Sequence, residues 1–184
     1  MSFHGGLIGV ALGMLYFARK YKKTPFQVLD FIVPCVPTGL LFGRIGNYIN
    51  GELWGRTTDV PWAIRFCNQT IYNTYGFCPA GDVPRHPSQL YEAGLEGLLL
   101  FVILTLGVWK MKLLTKPGYI TGLFLLGYGL SRAVLETVRE PDTHMPDALQ
   151  GVVTMGMLLS LPMILLGGWL IWRAWSRPPI GANS

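Results

Sequence analysis

Charge is what this sequence has least of. Only 14% of its 184 residues are Asp, Glu, Lys or Arg, while 51% are hydrophobic and the mean hydropathy is +0.38. That balance excludes a disordered chain and argues against an ordinary soluble domain. Cysteine is scarce: Cys35, Cys67 and Cys78 form no C-x-x-C. The histidines, His4, His86 and His144, form neither H-x-x-H nor H-E-x-x-H, so no metal site and no cofactor are expected. No basic patch with interleaved aromatics accompanies the net charge of +5, which sets nucleic acid aside as a partner. The start, Met1-Ser2-Phe3-His4-Gly5-Gly6, lacks the basic n-region of a signal peptide, so none is expected. Repeats and low-complexity tracts are also missing.

What the chain does have is uncharged runs. Residues 148–172 carry no charge, enough to cross a hydrocarbon layer of ~30 Å. Shorter runs cover 3–17, 31–42, 97–109 and 117–131. As helices these reach roughly 18–24 Å, so flanking polar residues must complete a crossing. Each alone also fits a buried soluble helix. Five in series predict an all-α integral membrane protein, a single membrane domain over 1–184, with about five transmembrane helices in a lipid bilayer. Pro34 and Pro37 predict a kink in the second, which neighbouring helices tolerate.

Lysine and arginine set the orientation. Arg19-Lys20-Tyr21-Lys22-Lys23, Lys110…Lys112…Lys116 and Arg173…Arg177 fall on one side if every run crosses, and they hold every lysine. That side is expected to be cytoplasmic, together with the C-terminus, with Trp109, Trp169, Trp172 and Trp175 in its aromatic belt. The opposite side receives the N-terminus, a polar extracytoplasmic loop region over 43–93, and 139–147. Within it, 57–85 reads as an irregular loop rich in Gly, Pro, Asn and Asp. Cys67 and Cys78 lie there, where a disulfide is one option; Cys35, inside an apolar run, is read as packing. The same topology gathers His4, Arg44, Asn47, Asn50, Glu52, Arg56, His86, Glu92, Arg132, Glu136, Arg139 and Glu140 at one membrane face, where ionisable groups are usually functional.

Four clusters stand out. Phe42-Gly43-Arg44-Ile45-Gly46-Asn47-Tyr48-Ile49-Asn50-Gly51-Glu52-Leu53-Trp54-Gly55-Arg56 combines glycines that admit close backbone approach, arginine forks suited to phosphate oxygens, and asparagine amides. It reads either as recognition of a phosphate bearing a polyol or as a Gly-rich turn whose arginines snorkel to headgroups. Tyr128, Arg132, Glu136 and Arg139 share one helical face by spacing, and Glu136 can pair with either arginine. They form an anion site or a structural ion pair. His4 is a general base or a helix-packing group. His86-Pro87-Ser88-Gln89-Leu90-Tyr91-Glu92 initiates a helix or forms a second polar wall, with Glu92 and Glu96 on one face.

Taken with Ser2-Phe3-His4-Gly5-Gly6-Leu7 and Arg132…Glu136…Arg139-Glu140-Pro141-Asp142, these motifs resemble the prolipoprotein diacylglyceryl transferase family, in the right order and over essentially the whole chain. The stretch from Gly43 to Arg56 is the specific one. Family members carry further residues and spans before the His-Gly-Gly-Leu motif, so this chain is expected to be an N-terminally truncated form.

The resemblance implies a transferase of the bacterial inner membrane, multi-pass, with its site facing the periplasm. It would move the diacylglyceryl group of phosphatidylglycerol onto the lipobox cysteine of a preprolipoprotein signal peptide, releasing glycerol 1-phosphate. By resemblance Arg44 binds the lipid phosphate, and Asn47 and Glu52 hold the glycerol headgroup or orient Arg44. Arg132 and Arg139 stabilise the leaving phosphate, Glu136 fixes their geometry, and His4 is a candidate base. From the residues alone, an anionic-lipid-binding or transport protein without covalent chemistry, or a structural membrane subunit, is the rival.

Overall fold

The computed structural model describes residues 3–67, 69–140 and 155–179, apart from the side chains at 3, 4, 7, 155 and 159. Every named element among them is helical: α1 (Phe3–Lys20), α2 (Pro25–Ile32), α3 (Val36–Asn50), α4 (Gln69–Tyr75), α5 (Ser88–Glu92), α6 (Leu100–Trp109), α7 (Tyr119–Leu135) and α8 (Met155–Trp175), with short 3-10 turns at Val33–Cys35 and Leu113–Thr115. A π-helical segment, Ala93–Leu99, joins α5 to α6. Three isolated bridges supply the β-type pairing among the described residues.

Local chemistry explains where the helices begin and end. α2 opens on a capping box: the Thr24 hydroxyl accepts from the Gln27 amide, the Gln27 side chain accepts from the Thr24 amide, and Pro25 takes the first turn. Pro34 and Pro37 do not end the run, because Pro34 sits within the 3-10 turn and Pro37 in the first turn of α3, where a missing N–H is tolerated. The result is one continuous stretch, Pro25–Asn50, well beyond the uncharged 31–42. It stops at Gly51, whose φ of +68° closes the helix in the left-handed conformation. The polar cluster at 43–50 is therefore the last two turns of α3. The connecting region is 51–87 rather than 43–93, and it is not wholly irregular, since α4 lies within it and Cys67 is bonded to Cys78.

Three helical runs, Pro25–Asn50, Ser88–Trp109 and Gly156–Trp175, are long and apolar enough to cross a membrane, and Tyr119–Leu135 is a shorter apolar helix. The expected fifth run, 148–172, is seen from Met155 on; its first residues lie outside the described ones. The uncharged-run criterion set the spans too short because polar residues at their ends remain helical. Cys35, read as packing, is exposed instead, since no described helix covers that side of the 3-10 turn.

The buried centre is Val33, Leu100, Leu104, Leu113 and Ile120, drawn from the 3-10 turns, α6 and α7. α7 and α8 meet through small residues: a Cβ on Gly167 would lie 2.6 Å from the Leu126 amide nitrogen and 2.8 Å from the Gly122 carbonyl. Close backbone approach of this kind is how helices associate where lipid removes the hydrophobic drive. Outward, Ile103, Leu106, Leu165, Leu166 and Trp172 are exposed, the inverse of a soluble surface. α1 packs against α2 and leaves Ile8, Val10 and Leu12 uncovered.

Asp30 ties α2 to α7. Its carboxylate, 1% exposed, accepts from the Gly118 amide (2.6 Å), the Thr121 amide (2.8 Å) and the Thr121 hydroxyl (2.5 Å). It thereby satisfies orphan donors at the N-terminus of α7 and complements the helix dipole. Asp30→Ala should lower stability by about 2–5 kcal/mol, since each orphaned buried donor costs ~1–3 kcal/mol. Asp30→Asn should recover only part, because its amide turns donors toward donors. Unfolding in detergent, followed by loss of helical signal, measures both.

Candidate functional site

The site is built around one carboxylate. Glu92, 1% exposed, closes α5. Arg44, two turns before the end of α3, places Nε 2.7 Å from Glu92 Oε2 and Nη2 3.7 Å from Glu96 Oε2. Arg132, in the last turn of α7, reaches Glu92 Oε2 at 3.8 Å and Glu136 Oε2 at 3.9 Å. Arg139 completes the set, 3.5 Å from Glu92 Oε1. Three guanidiniums from distant parts of the chain thus converge on a single buried acid.

Two backbone devices make the convergence possible. A Cβ on Gly97 would lie 2.8 Å from Leu41 Cα, so the glycine lets α3 press against the π segment one turn from Arg44. The π segment itself carries Glu96 on the same side as Glu92, toward Arg44. Such segments recur at functional sites.

The second device holds Arg139. α7 ends at Leu135, so Arg139 does not extend its face; it follows a turn in which its amide bonds the Leu135 carbonyl at 3.2 Å. Residues 51–56 then clamp that turn. Gly55 bridges Arg139, the Arg56 amide donates to the Val138 carbonyl (2.9 Å), and Arg56 Nε donates to the Arg139 carbonyl (2.7 Å). Gly55 is required by space, for a Cβ there would sit 2.6 Å from the Val138 oxygen. The clamp is anchored in turn to the head of α5: Gln89 Nε2 donates to the Glu52 carbonyl (2.6 Å) and the Ser88 hydroxyl to the Leu53 carbonyl (3.1 Å). Arg85 pairs with Glu140 at 2.5 Å.

Charge in the cluster is layered. Arg44, Arg132 and Arg139 face Glu92, Glu96 and Glu136, so a formal count gives balance rather than the positive excess that the arginines alone suggest. The carboxylates are 0–5% exposed and the guanidiniums 14–19%, so the acids lie behind and the cations in front. Each guanidinium has five donors, more than these contacts use. Both oxygens of Glu92 and of Glu96, Glu136 Oε2, Gln89 Oε1 and Arg132 Nη1 are buried without a hydrogen-bond partner of good geometry among the described residues. Unspent polar capacity in an apolar setting marks a place for a polar occupant.

The expected residues divide. Arg44, Arg132, Glu136 and Arg139 come together. Among the described residues Glu136 forms an ion pair with Arg132 and not with Arg139, which turns to Glu92. Asn47 is half-buried on α3, one turn past Arg44. Glu52 is exposed, and its contribution to the clamp is its backbone carbonyl. His4 lies in the first turn of α1, with its side chain outside the described residues. His86 Nδ1 sits 3.3 Å from the Tyr91 hydroxyl, which also accepts from Trp62 Nε1 at 2.6 Å. Glu92 and Glu96, expected only as a second wall, are the centre. The signal was their four-residue spacing at the head of an apolar run.

Comparison with known proteins identifies the family. A sequence profile of the prolipoprotein diacylglyceryl transferase family matches residues 1–173. Over 180 residues the chain is 54% identical to the phosphatidylglycerol–prolipoprotein diacylglyceryl transferase of Caulobacter vibrioides, covering 97% of this chain and 59% of that protein. The enzyme of the same name from Brucella anthropi is 51% identical over 174 residues (95% and 58%), and that from Aeromonas salmonicida 50% over 184 residues (100% and 62%). The chain thus spans about three-fifths of the length of the curated relatives it matches.

Gly97 offers a test of how the cluster is assembled. Gly97→Ala should force α3 away from the π segment, costing about 1–3 kcal/mol as overpacking does. Gly94→Ala, three residues earlier with nothing within 4 Å of its Cβ, should be neutral or stabilising. Paired unfolding curves in detergent check the contrast.

Proposed function

The chain belongs to the prolipoprotein diacylglyceryl transferase family, and we propose that the cluster around Glu92 serves transfer of a diacylglyceryl group from phosphatidylglycerol to the lipobox cysteine thiol of a preprolipoprotein signal peptide. The observation that carries this reading is the convergence of Arg44, Arg132 and Arg139 on one buried carboxylate at the end of apolar helices.

In the reaction, the sulfur attacks the glyceryl carbon that bears the phosphate. A C–S bond forms, the C–O bond to phosphate breaks, the thiol proton is released, and glycerol 1-phosphate leaves. Two needs follow. The departing phosphate gains charge that preorganised donors must meet. The thiol, with a reference pKa near ~8.5, must give up its proton. Arg44 binds the lipid phosphate through N–H groups not turned toward Glu92 and Glu96. Arg132 and Arg139 meet the charge developing on the leaving oxygen. Glu92 fixes all three forks so that little reorganisation is needed, and Glu136 steadies Arg132. Asn47 lies where its amide can meet the glycerol headgroup, and Glu52 serves through the clamp that positions Arg139. His4 is the proposed proton acceptor, helped by a cationic site that favours thiolate. Both substrates are membrane-anchored, so the site opens toward lipid.

The orientation completes the proposal. The cluster faces the periplasm across the inner membrane of a bacterium, and the C-terminus is cytoplasmic. The basic ends of α1, α6 and α8 gather at the opposite end of the helices from Glu92, which supports this orientation under the positive-inside rule.

Arg44→Lys should lower thioether formation by about 10²–10³-fold, the cost of losing one preorganised donor, because a lysine cannot present two parallel donors. Glu92→Gln should lower it comparably with the protein still inserted. Arg65→Ala, at an exposed pair with Asp82, should leave it unchanged. Mixing phosphatidylglycerol with a lipobox peptide and assaying both thioether and released glycerol phosphate checks this. Full activity of Arg44→Lys, or lipid binding with no thioether from the unaltered protein, would sink the proposal.

A further inference from the structure

At the other end of the helices the basic residues are arranged quite differently. Arg19, Lys20, Lys22, Lys23, Lys110, Lys112, Lys116, Arg173 and Arg177 cluster there, and among the described residues none of them forms an ion pair. Asp30, the acid on α2, spends its carboxylate on the backbone and hydroxyl of α7. Some of these cations are held by aromatic rings instead. The Arg173 guanidinium lies 4.6 Å from the Phe26 ring centroid and 5.8 Å from that of Trp169, and Lys116 Nζ lies 3.8 Å from that of Trp175. Stacking on a ring fixes a guanidinium while leaving its N–H fork unused.

Between these groups lies a concavity of about 290 Å³, lined by Thr24, Phe26, Pro117, Arg173, Arg177 and Pro178. Its walls are the first turn of α2, the approach to α7 and the last turn of α8. Arg173 also lies beside Gly118, where its Nη1 would be 3.8 Å from an added Cβ. The pocket therefore combines an apolar floor with two arginines that have no acidic partner among the described residues. Below it, exposed Leu165, Leu166 and Trp169 continue along α8. A phosphate above and hydrocarbon below is the layout of a phospholipid.

We propose that this pocket binds the phosphate of an anionic phospholipid from the leaflet at the basic end, as a site separate from the Glu92 cluster. Arg173 and Arg177 grip the phosphate oxygens, while the acyl chains lie along α8. The charge complementarity favours an anionic lipid over a zwitterionic one, whose ammonium would meet only cations. The site does not depend on the proposed transferase chemistry.

The test uses the chain in phosphatidylcholine nanodiscs with increasing phosphatidylglycerol, counting retained lipids by native mass spectrometry. R173Q/R177Q should lose one retained phosphatidylglycerol, its affinity falling roughly 25-fold, because each arginine near an anionic surface contributes about a factor of five. R65Q, at the exposed pair with Asp82, should keep that lipid. R173K/R177K, which preserves the charge should the glutamine variant fail to fold, should bind several-fold more weakly than the arginines. Equal lipid retention by R173Q/R177Q and the unaltered chain would overturn the proposal. So would loss of the same lipid in R65Q, or occupancy by inorganic phosphate that phosphatidylglycerol does not displace.

Discussion

The Glu92 carboxylate, shared by Arg44, Arg132 and Arg139, is the constraint around which the rest of the molecule is arranged. Taking such charges out of water costs several kcal/mol per ion, and apolar replacements are often no less stable. A cluster of this kind is therefore poor evidence for stability and good evidence for use. Its geometry also demands much of the backbone. α3 must approach the π segment closely, which Gly97 permits. The turn after α7 must be pinned, which residues 51–56 and Gly55 accomplish. The head of α5 must hold that clamp, which Ser88 and Gln89 do with both side chains fully buried. A loop that reads as a connector is in effect the brace of the site.

Much of this was legible in the residues. Arginines at the ends of uncharged runs singled out 44, 132 and 139, and the Gly43–Arg56 stretch was specific enough to carry a family resemblance that the comparisons bear out. Other features were not legible, for physical reasons. Charge-free length undercounts a helix whose last turns are polar, so it ends the second run at 42, before Arg44. Helical spacing assigned Arg139 to the face of α7, but the helix had already ended, and a turn delivers the side chain instead. A sequence shows which acids and bases are present but not which pairs meet. Glu136 therefore looked like the natural partner of both arginines, when the buried hub is Glu92. Nothing in the side chains of 93–99 announces a π segment, since it reflects what the neighbouring helix requires.

The two ends of the helices illustrate one economy applied in opposite ways. At one end cations are backed by buried acids and set in fixed directions. At the other, among the described residues, they form no ion pair and some are held by rings, where salt screens them but a charged surface attracts them. Asp30 belongs to neither pattern: it is a buried acid answered by helix amides, and it fastens α2 to α7 so that the cluster at the far end is built on rigid rods.

The π segment has one more consequence. A wider turn amounts to a single inserted residue in an otherwise α-helical rod, and removing it would rotate everything on one side by about 100° and shift it by about 1.5 Å. The half of the rod bearing Glu92 and the half bearing Leu100 and Leu104 are thus phased separately. Natural variation can repack the hydrocarbon-embedded half without turning the acids away from their arginines, provided the chain length between 93 and 99 is kept.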